Sequence, residues 1–403
     1  MKYMLVISDG MADTELPELN GQTPIESLDL PSFNTLAGSE MGTVQTVPKG
    51  VAPGSDTAIL NIFGYDPRTC YSGRSVLEAA GVGVLLNEVE VSFRLNLCAI
   101  ESGVILSHNG GGIEGDEAEN LMHALLQDEA FQKAAQRVGL SVTVSRTFRH
   151  IGVINAPDGA EFHLTEPHNI LNQPIAGYMP KGALAEELTA IMEASFKVLD
   201  QHPINVSRRE RGLLPANMLW PWGPGRAIVL PKWQEKYGRG GTVISAVPLV
   251  WGIANLAGLK VVHVDGATGD LDTNYEGKAD AALEALKNGD DFAAVHVEAP
   301  DEMAHAGSLE KKLEAIHRVD ARVVKRLLEK LPAIDKDFRI LLLSDHPTLL
   351  TTRTHDGAPV PYAIYDSRHP GTPRKFSEKA ARATKVFLAN GDLLMPHLFE
   401  MDV

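Results

Sequence analysis

Short apolar runs that end abruptly in a polar residue are the most regular feature of the chain. Four of them, at residues 3–7, 261–264, 292–297 and 340–343, are largely apolar and show no regular alternation with polar residues. Runs of this kind are typical of strands buried on both faces, as in a parallel sheet covered by helices. We therefore predict strands at these four positions.

Helical patterns occupy much of the chain between and after these runs, at residues 276–288, 308–331 and 377–389. Alternation of strands and helices predicts an α/β protein with a mainly parallel sheet flanked by helices. In such sheets, ligands bind outside the carboxyl ends of the strands. The polar side chains expected at these ends are Asp9, Asp301, Asp345 and His346.

The middle of the chain has shorter and more alternating apolar runs, with one polar helix predicted at residues 116–138. Residues 155–180 are rich in Pro, Asn and His, and residues 215–225 contain three prolines. Such segments are typical of ordered loops or of crossings between domains.

We therefore predict two domains. Residues 1–85 and 245–403 form a discontinuous sheet domain, which is interrupted by a smaller inserted α+β domain at residues 86–244. A length of 403 residues agrees with this division, because single hydrophobic cores stop growing well below that size.

Composition and charge narrow the classes of function. The chain is 44% hydrophobic and 22% charged, as in an ordinary globular protein, and its 37 Lys and Arg against 52 Asp and Glu give a net charge of −15. Such a chain repels phosphate backbones and anionic lipid, so nucleic acid and membranes are not expected partners. An anionic ligand would need metal ions or an arginine cluster at its site.

The cysteines and the N-terminal residues bear on location. Cys70 and Cys98 form no Cys-x-x-Cys motif, which fits a reducing compartment. The apolar run at residues 3–7 is too short for the core of a signal peptide, and no run approaches the ~20 residues that span a bilayer. We expect a cytoplasmic protein.

The segment DEMAH at residues 301–305 follows a predicted strand. If it opens a helix, Asp301 and His305 are four residues apart and share one face, where a carboxylate oxygen and an imidazole nitrogen can bind one cation. The alternative is a surface ion pair.

A second pair, Asp345 and His346, follows the predicted strand at residues 340–343, and His355 lies nine residues further on. Adjacent side chains at a strand end point in different directions, so this pair can serve two cations. A capping Asp beside a buried, hydrogen-bonded His is the alternative interpretation.

Ser55 lies in PGSDTA at residues 53–58, at a predicted helix start where backbone N–H groups favour an anion. The alternative is a helix-capping serine. With no Ser-His-Asp spacing in view, only a metal would make Ser55 nucleophilic. Asp9 follows the first predicted strand and completes the set.

Seven candidate metal ligands result, all of them oxygen or imidazole donors. Such ligands suit Mn²⁺, Mg²⁺ or Zn²⁺, and seven groups suffice for two ions that activate a serine and neutralise a phosphoryl group. The seven are Asp9, Ser55, Asp301, His305, Asp345, His346 and His355.

This order of ligands resembles that of the alkaline phosphatase superfamily, and within it the chain is similar to the cofactor-independent phosphoglycerate mutases of the archaeal type. The likeness covers nearly the whole chain. The segments that carry it are DGMAD (9–13), PGSDTA (53–58), GYDP (64–67), YSGR (71–74), VISAV (243–247), GATG (266–269), TNYEGK (273–278), HVEAPDE (296–302) and DHPT (345–348).

The resemblance implies an alkaline-phosphatase-like core with an inserted domain that closes over it. It also implies two divalent ions, with Mn²⁺ as first choice and Mg²⁺, Zn²⁺ or Co²⁺ as alternatives, and no need for 2,3-bisphosphoglycerate. One ion would bind Asp9, Ser55, Asp345 and His346, and the other Asp301, His305 and His355. As catalytic nucleophile, Ser55 would take the phosphoryl group from 3-phosphoglycerate and return it to the 2-position, while the inserted domain keeps water out.

An anionic, phosphorylated small-molecule substrate also needs cationic partners, and a guanidinium matches a carboxylate or phosphate. Each candidate has a surface salt bridge as its alternative. The candidates in segments similar to the family are Arg74, Arg94, Arg149, His150 and Lys278.

One departure from the family's pattern lies in the inserted domain. Residues 109–112 read NGGG where relatives have a Ser-Ala-Gly stretch followed by a His or Arg, and His108 is a substitute cation. The acceptor therefore stays open between a mutase and a related metal-dependent phosphotransferase such as a homoserine kinase, with a non-catalytic metal-binding sensor as a third reading. The oligomeric state is left open too.

Overall fold

The computed structural model describes residues 1–400. The chain divides into two compact units: unit 1 comprises Met1–Tyr71 and the chain from Val229 onward, and unit 2 comprises Ser72–Ile228. The sequence predicts these two boundaries further along the chain, at 85/86 and 244/245. Residues 74–81 form a helix that packs on strands of unit 2, and Trp233 stacks on Phe292 of unit 1, so tertiary packing moves both boundaries.

The strands are β1 (Lys2–Ser8), β2 (Glu40–Val44), β3 (Glu90–Glu101), β4 (Val104–Ser107), β5 (Ser141–Thr143), β6 (Arg149–Asn155), β7 (Phe162–His163), β8 (Lys181–Gly182), β9 (Met218–Arg226), β10 (Gly241–Ile244), β11 (Lys260–Val262), β12 (Phe292–Val297), β13 (Phe338–Leu343), β14 (Thr348–Leu349), β15 (Thr354–His355), β16 (Val360–Asp366) and β17 (Phe387–Leu388).

The α-helices are α1 (Pro24–Ser27), α2 (Pro31–Leu36), α3 (Ser55–Ile62), α4 (Pro67–Cys70), α5 (Arg74–Gly81), α6 (Gly115–Gln127), α7 (Glu129–Gln136), α8 (Ala185–Leu199), α9 (Pro203–Glu210), α10 (Trp233–Tyr237), α11 (Pro248–Ala257), α12 (Tyr275–Lys287), α13 (Ala299–His305), α14 (Leu309–Arg318), α15 (Lys325–Lys330), α16 (Glu378–Ala383) and α17 (Leu394–Phe399). A π-helical turn, Val319–Val324, joins α14 to α15.

Unit 1 is built on an eight-stranded sheet in the order β11-β10-β12-β1-β13-β16-β2-β17. The first five of these strands run parallel, and β16 is antiparallel to both of its neighbours. The α/β fold with a mainly parallel sheet is thus confirmed, as are the strands predicted around residues 3–7, 261–264, 292–297 and 340–343. Helices α12, α14 and α15 bury apolar faces against this sheet and one another.

The helix predicted at residues 377–389 is wrong in its second half. Helix α16 ends at Ala383, and Lys385 adopts a left-handed conformation with φ of 62°. The chain then forms β17, which pairs in parallel with β2 at the sheet edge. Backbone hydrogen bonds to an open sheet edge replace those that a longer helix would have made.

Unit 2 contains an antiparallel sheet in the order β4-β3-β6-β5, with β9 also paired to β3. The prediction of a loop or crossing at residues 215–225 is wrong for most of this segment, because β9 begins at Met218 and ends at Arg226. Its prolines, Pro221 and Pro224, lack N–H groups, and a strand with a single described neighbour tolerates them. Trp220 and Trp222 lie in β9, inside unit 2.

The polar helix predicted at residues 116–138 is divided into α6 and α7. Asp128 separates them, and its side chain accepts hydrogen bonds from the N–H groups of Ala130 and Phe131. An aspartate that caps a new helix start ends the preceding helix at the same point.

In the part of the chain that the structure describes, no helix has the length and apolar character required to cross a bilayer.

Candidate functional site

The carboxyl ends of three adjacent strands of unit 1 carry the candidate metal ligands. Strand β1 pairs with β12 on one side and β13 on the other, with Ser8 opposite Val297 and Ile7 opposite Leu343. The polar residues that follow these strands therefore meet at one sheet edge. They are Asp9, Asp301, Asp345 and His346.

Ser55 is the first residue of α3, directly after Gly54. It does not cap that helix, because Gly54 occupies the capping position. Its hydroxyl Oγ lies 3.2 Å from Nε2 of His346, and the side chain is half-buried. The structure thus presents the Ser55 hydroxyl toward the ligand cluster, with the positive end of a helix behind it.

Asp9, Asp345 and His346 form a fully buried group, which we call the Asp9 group. Nε2 of His346 lies 3.2 Å from Oδ2 of Asp345 and 3.7 Å from Oδ1 of Asp9. Oδ1 of Asp345 accepts hydrogen bonds from the backbone N–H groups of Gly10 and His346. The other oxygen of Asp345 is thereby held toward Asp9 and His346.

Asp301, His305 and His355 form a second cluster, which we call the Asp301 group. The predicted helix is present as α13, and Nε2 of His305 lies 3.1 Å from Oδ2 of Asp301. Nε2 of His355, on β15, lies 3.5 Å from Oδ1 of Asp301 and 2.9 Å from Nε2 of His305. Both imidazoles are partly exposed, so this group opens to solvent.

Hydrogen bonds on the far ring nitrogens set the tautomers of two of these histidines. Nδ1 of His305 lies 2.9 Å from the carbonyl oxygen of Arg353, which can only accept, so Nδ1 carries a proton and Nε2 is the nitrogen that faces Asp301. Nδ1 of His346 likewise lies 3.2 Å from the Thr348 hydroxyl. Metal-binding histidines are typically oriented in this way.

The electrostatics of the Asp9 group are unfavourable without a cation. Burial, followed by repulsion from Asp345 and Asp301, raises the pKa of Asp9 well above its usual value. Burial tends to raise the pKa of Asp301, but hydrogen bonds from His305 and His355 outweigh it and hold this pKa well below its usual range. The hydrogen bond to Asp301 raises the pKa of His305 to about 9. Carboxylates this close together are typical of a site that takes positive charge.

Two buried oxygens support this interpretation. Oδ1 of Asp9 and Oδ2 of Asp345 have no hydrogen-bond partner among the described residues, although such atoms are almost always satisfied. The ligand atoms of Asp9, Asp345 and His346 lie within 4.8 Å of one another, and so do those of Asp301, His346 and His355. The donor set therefore fits two divalent cations.

Three supporting residues carried no recognisable role in the sequence. His296 lies 2.8 Å from Asp9, and the Thr348 hydroxyl lies 2.5 Å from Asp301. Lys312, fully buried, pairs with Asp13 at 2.8 Å and also donates to the Thr348 carbonyl. Their only sequence signal is proximity to ligands in short segments, because their contacts join residues far apart in the chain.

The arginine candidates for substrate binding lie in unit 2 around one carboxylate. Glu78 accepts two hydrogen bonds from the guanidinium of Arg94 and one from Arg74. Arg94 is buried and lies 4.4 Å from the centre of the Trp222 ring, whereas Arg74 is partly exposed. Arg149, also partly exposed, lies over the Phe148 ring. Three guanidinium groups around Glu78 leave an excess of positive charge.

The two other candidates for substrate binding are buried within the protein. His150 is buried, its Nδ1 accepts a hydrogen bond from the N–H of Ser145, and burial lowers its pKa to about 4. Lys278 is fully buried, and its ammonium group donates to the carbonyls of Thr268 and His296. In this conformation neither side chain presents a charge at the surface.

The glycine-rich turn at residues 109–112 closes on itself. The N–H groups of Gly111 and Gly112 donate to the side chains of Ser107 and Asn109, and Arg208 donates to the Gly110 carbonyl. Ring centres of His108 and His168 lie 6.0 Å apart, so a second imidazole joins this part of unit 2.

Comparison with known proteins places the chain in a family. The family model described as 2,3-bisphosphoglycerate-independent phosphoglycerate mutase matches residues 37–205. A protein of that name from Methanosarcina acetivorans is 45% identical over 385 residues, which cover 95% of each chain. A probable mutase of the same name from Geobacter sulfurreducens is 41% identical and covers 99% of this chain and 100% of its own.

Solved structures agree on the fold. A protein from Pyrococcus horikoshii, 29% identical, superimposes with a TM-score of 0.81 over 99% of this chain and 96% of its own. The cofactor-independent phosphoglycerate mutase from Thermoplasma acidophilum, 23% identical, shares the fold with a TM-score of 0.65 over 99% of both chains. The chain belongs to the 2,3-bisphosphoglycerate-independent phosphoglycerate mutase family.

Proposed function

We propose that this protein is a phosphoglycerate mutase that interconverts 3-phosphoglycerate and 2-phosphoglycerate without added 2,3-bisphosphoglycerate. Membership of the family supports the reaction, and one observation supports its chemistry. The half-buried Ser55 hydroxyl lies 3.2 Å from His346, between a helix N-terminus and a cluster of carboxylates and imidazoles. Cys70 and Cys98 are free cysteines, which agrees with a cytoplasmic location.

Two divalent cations belong to this proposal. Asp9, Ser55, Asp345 and His346 would hold one, and Asp301, His305 and His355 the other. When bound, such ions favour the ionised form of a nearby hydroxyl and neutralise phosphoryl oxygens. Carboxylate oxygens with imidazole nitrogens suit Mn²⁺, Mg²⁺ or Zn²⁺. The family resemblance makes Mn²⁺ the first choice, with Co²⁺ as a further alternative.

The protein itself supplies the nucleophile. Oγ of Ser55 attacks phosphorus, the bond to O3 of the glycerate breaks, and a phosphoserine forms. The 2-hydroxyl of the same glycerate then attacks phosphorus, and the bond to Oγ breaks. The Ser55 proton goes to O3 in the first step and is replaced by the proton of the 2-hydroxyl in the second, so the cycle is balanced.

Arginine side chains of unit 2 would bind the anionic groups of the substrate. Arg74 and Arg149 are partly exposed and suit direct contact, while Arg94 is buried against Glu78 and suits orientation of that carboxylate. Arg149→Met should therefore raise KM more than it lowers kcat. Arg146→Met is the matched control, since Arg146 is an exposed arginine paired with Asp116 and Glu119.

The test is an enolase-coupled assay with 3-phosphoglycerate and Mn²⁺, without bisphosphoglycerate. Metal-loaded wild type should turn over, Ser55→Ala should not, and Ser141→Ala, an exposed serine of unit 2, should behave as wild type. Absence of turnover by folded, metal-loaded wild type would overturn the proposed mutase activity. Phosphoryl transfer to another acceptor, with homoserine tried first, would then identify the kinase instead.

A further inference from the structure

A buried histidine joins Asp9 to a serine on a neighbouring strand. Nε2 of His296, on β12, lies 2.8 Å from Oδ2 of Asp9, and Nδ1 lies 3.0 Å from the Ser245 hydroxyl. Ser245 follows β10, the strand next to β12 in the sheet. All three side chains are at most 2% exposed. The contacts span residues 9, 245 and 296, so only the sheet order brings them together.

The direction of each hydrogen bond follows from its partners. Asp9 must be ionised to bind a cation, and an ionised carboxylate can only accept, so in that state Nε2 of His296 carries a proton and donates a hydrogen bond to Asp9. The Ser245 oxygen already accepts the N–H of Val247 at 3.0 Å, which fixes its position and leaves its own proton available for Nδ1. The order is therefore Val247 N–H to Ser245, Ser245 to His296, and His296 to Asp9.

This arrangement decides which oxygen of Asp9 is available. Oδ2 is engaged by His296, whereas Oδ1 is buried, has no partner among the described residues and lies 3.7 Å from Nε2 of His346. We propose that Ser245 and His296 are positioning residues that hold the Asp9 carboxylate with Oδ1 directed at the metal ion. The inference rests on the metal site of the proposed function.

The same three residue types form the nucleophilic triad of many hydrolases, but burial argues against that role here. Ser245 is 1% exposed, so no substrate can reach its hydroxyl. Its histidine also points its second nitrogen at a candidate metal ligand. Positioning of Asp9 is the role that the contacts support.

The experiment measures binding of Mn²⁺ to the metal-stripped full chain, by calorimetry and by the electron paramagnetic resonance of free Mn²⁺. Wild type should bind two ions per chain. His296→Asn, whose amide reaches Ser245 but not Asp9, should weaken the binding of one of the two Mn²⁺ ions by about 10- to 100-fold. This is the range usual for such supporting contacts. His296→Gln, whose amide replaces Nε2, should restore most of the affinity, and Ser245→Ala should lie between them.

His263→Ala is the matched control, because His263 is an exposed histidine just after β11 that packs on Trp251. It should bind Mn²⁺ as wild type does. Equal affinity for wild type, His296→Asn and Ser245→Ala would overturn the positioning role while leaving the proposed function intact. Failure of wild type itself to bind Mn²⁺ would instead overturn the metal site of the proposed function. Circular dichroism identifies any variant that does not fold, and the remaining variants still separate these outcomes.

Discussion

Thr348 donates a 2.5 Å hydrogen bond from its hydroxyl to Oδ1 of Asp301. The hydroxyl oxygen of Thr348 also lies 3.2 Å from Nδ1 of His346, so one hydroxyl joins a ligand of the Asp301 group to a ligand of the Asp9 group. Because the hydroxyl has one proton and gives it to the carboxylate, His346 must keep its proton on Nδ1 and present Nε2 to the site.

Thr348→Val removes this hydroxyl at almost constant volume. We expect kcat/KM and Mn²⁺ affinity to fall by about 10- to 100-fold, because both ligands lose their orientation. Steady-state kinetics and calorimetry measure the two effects. Thr348→Ser, which keeps the hydroxyl, is the control and should retain most of both. Wild-type behaviour of the valine variant would contradict a link between the two groups.

Ser55→Ala tests the covalent intermediate directly. Incubation of wild type with substrate labelled in its phosphoryl group should leave label on the protein after acid quenching, and mass spectrometry should locate it at Ser55. The variant should carry no label and should lose at least about 10³-fold in kcat/KM, about 4 kcal/mol of activation free energy. Label at another residue would assign the nucleophile elsewhere. Thermal unfolding should change little, since the side chain is half-buried and does not cap α3.

The buried pair of Asp13 and Lys312 should matter for stability. Both side chains are fully buried at 2.8 Å, and burial lowers the pKa of Lys312 despite the attraction of Asp13. Lys312→Met leaves a buried carboxylate without its partner and should cost about 3–5 kcal/mol in the free energy of unfolding. Asp13→Asn combined with Lys312→Met should cost less than the two single changes added together.

An exposed pair serves as the comparison for this measurement. Lys325 and Glu329 lie 4.0 Å apart on α15 with both side chains 62% exposed, so Lys325→Met should cost no more than about 0.5 kcal/mol. Denaturant unfolding measures all of these variants. A similar cost for Lys312→Met and Lys325→Met would show that burial does not strengthen the first pair.

The lowered pKa of Lys278 predicts that the stability of the protein depends on pH. Burial lowers the pKa of its ammonium group to about 8 from an ordinary value of 10.5, in spite of attraction by Glu298. Between these two values the unfolded chain binds more protons than the folded chain, so this group makes stability rise with pH. The destabilisation of the folded protein by the buried charge is complete below pH 8 and disappears as pH approaches 10.5.

Lys278→Met should remove this rise. Denaturant unfolding of both proteins at pH 7.5 and pH 10 should show wild type gaining up to about 2 kcal/mol relative to the variant at the higher pH. The two carbonyls that lose their donor contribute equally at both pH values and cancel in the comparison. Parallel stability curves would mean that Lys278 titrates normally in the folded protein.

Local patterns predicted the parts of the fold whose structure depends on nearby residues. Largely apolar runs predicted β1, β12 and β13, and polar residues at their ends predicted the sheet edge where Asp9, Asp301 and Asp345 meet. The spacing of Asp301 and His305 predicted their shared helix face. These predictions succeeded because a strand buried on both faces and a helix turn leave their period in the sequence itself.

Neighbours distant in sequence decided the rest. Residues 218–226 contain two prolines and still form β9, because β3 supplies hydrogen bonds along one side. Helix α16 stops early because the edge of β2 receives β17. The sequence by itself thus determined the fold class, the family and the candidate ligands. Only the tertiary structure decided that His296 orients Asp9 and that Thr348 joins Asp301 to His346. Hydrogen bonds between side chains depend on distances of a few tenths of an ångström, and the packing of the whole sheet sets those distances.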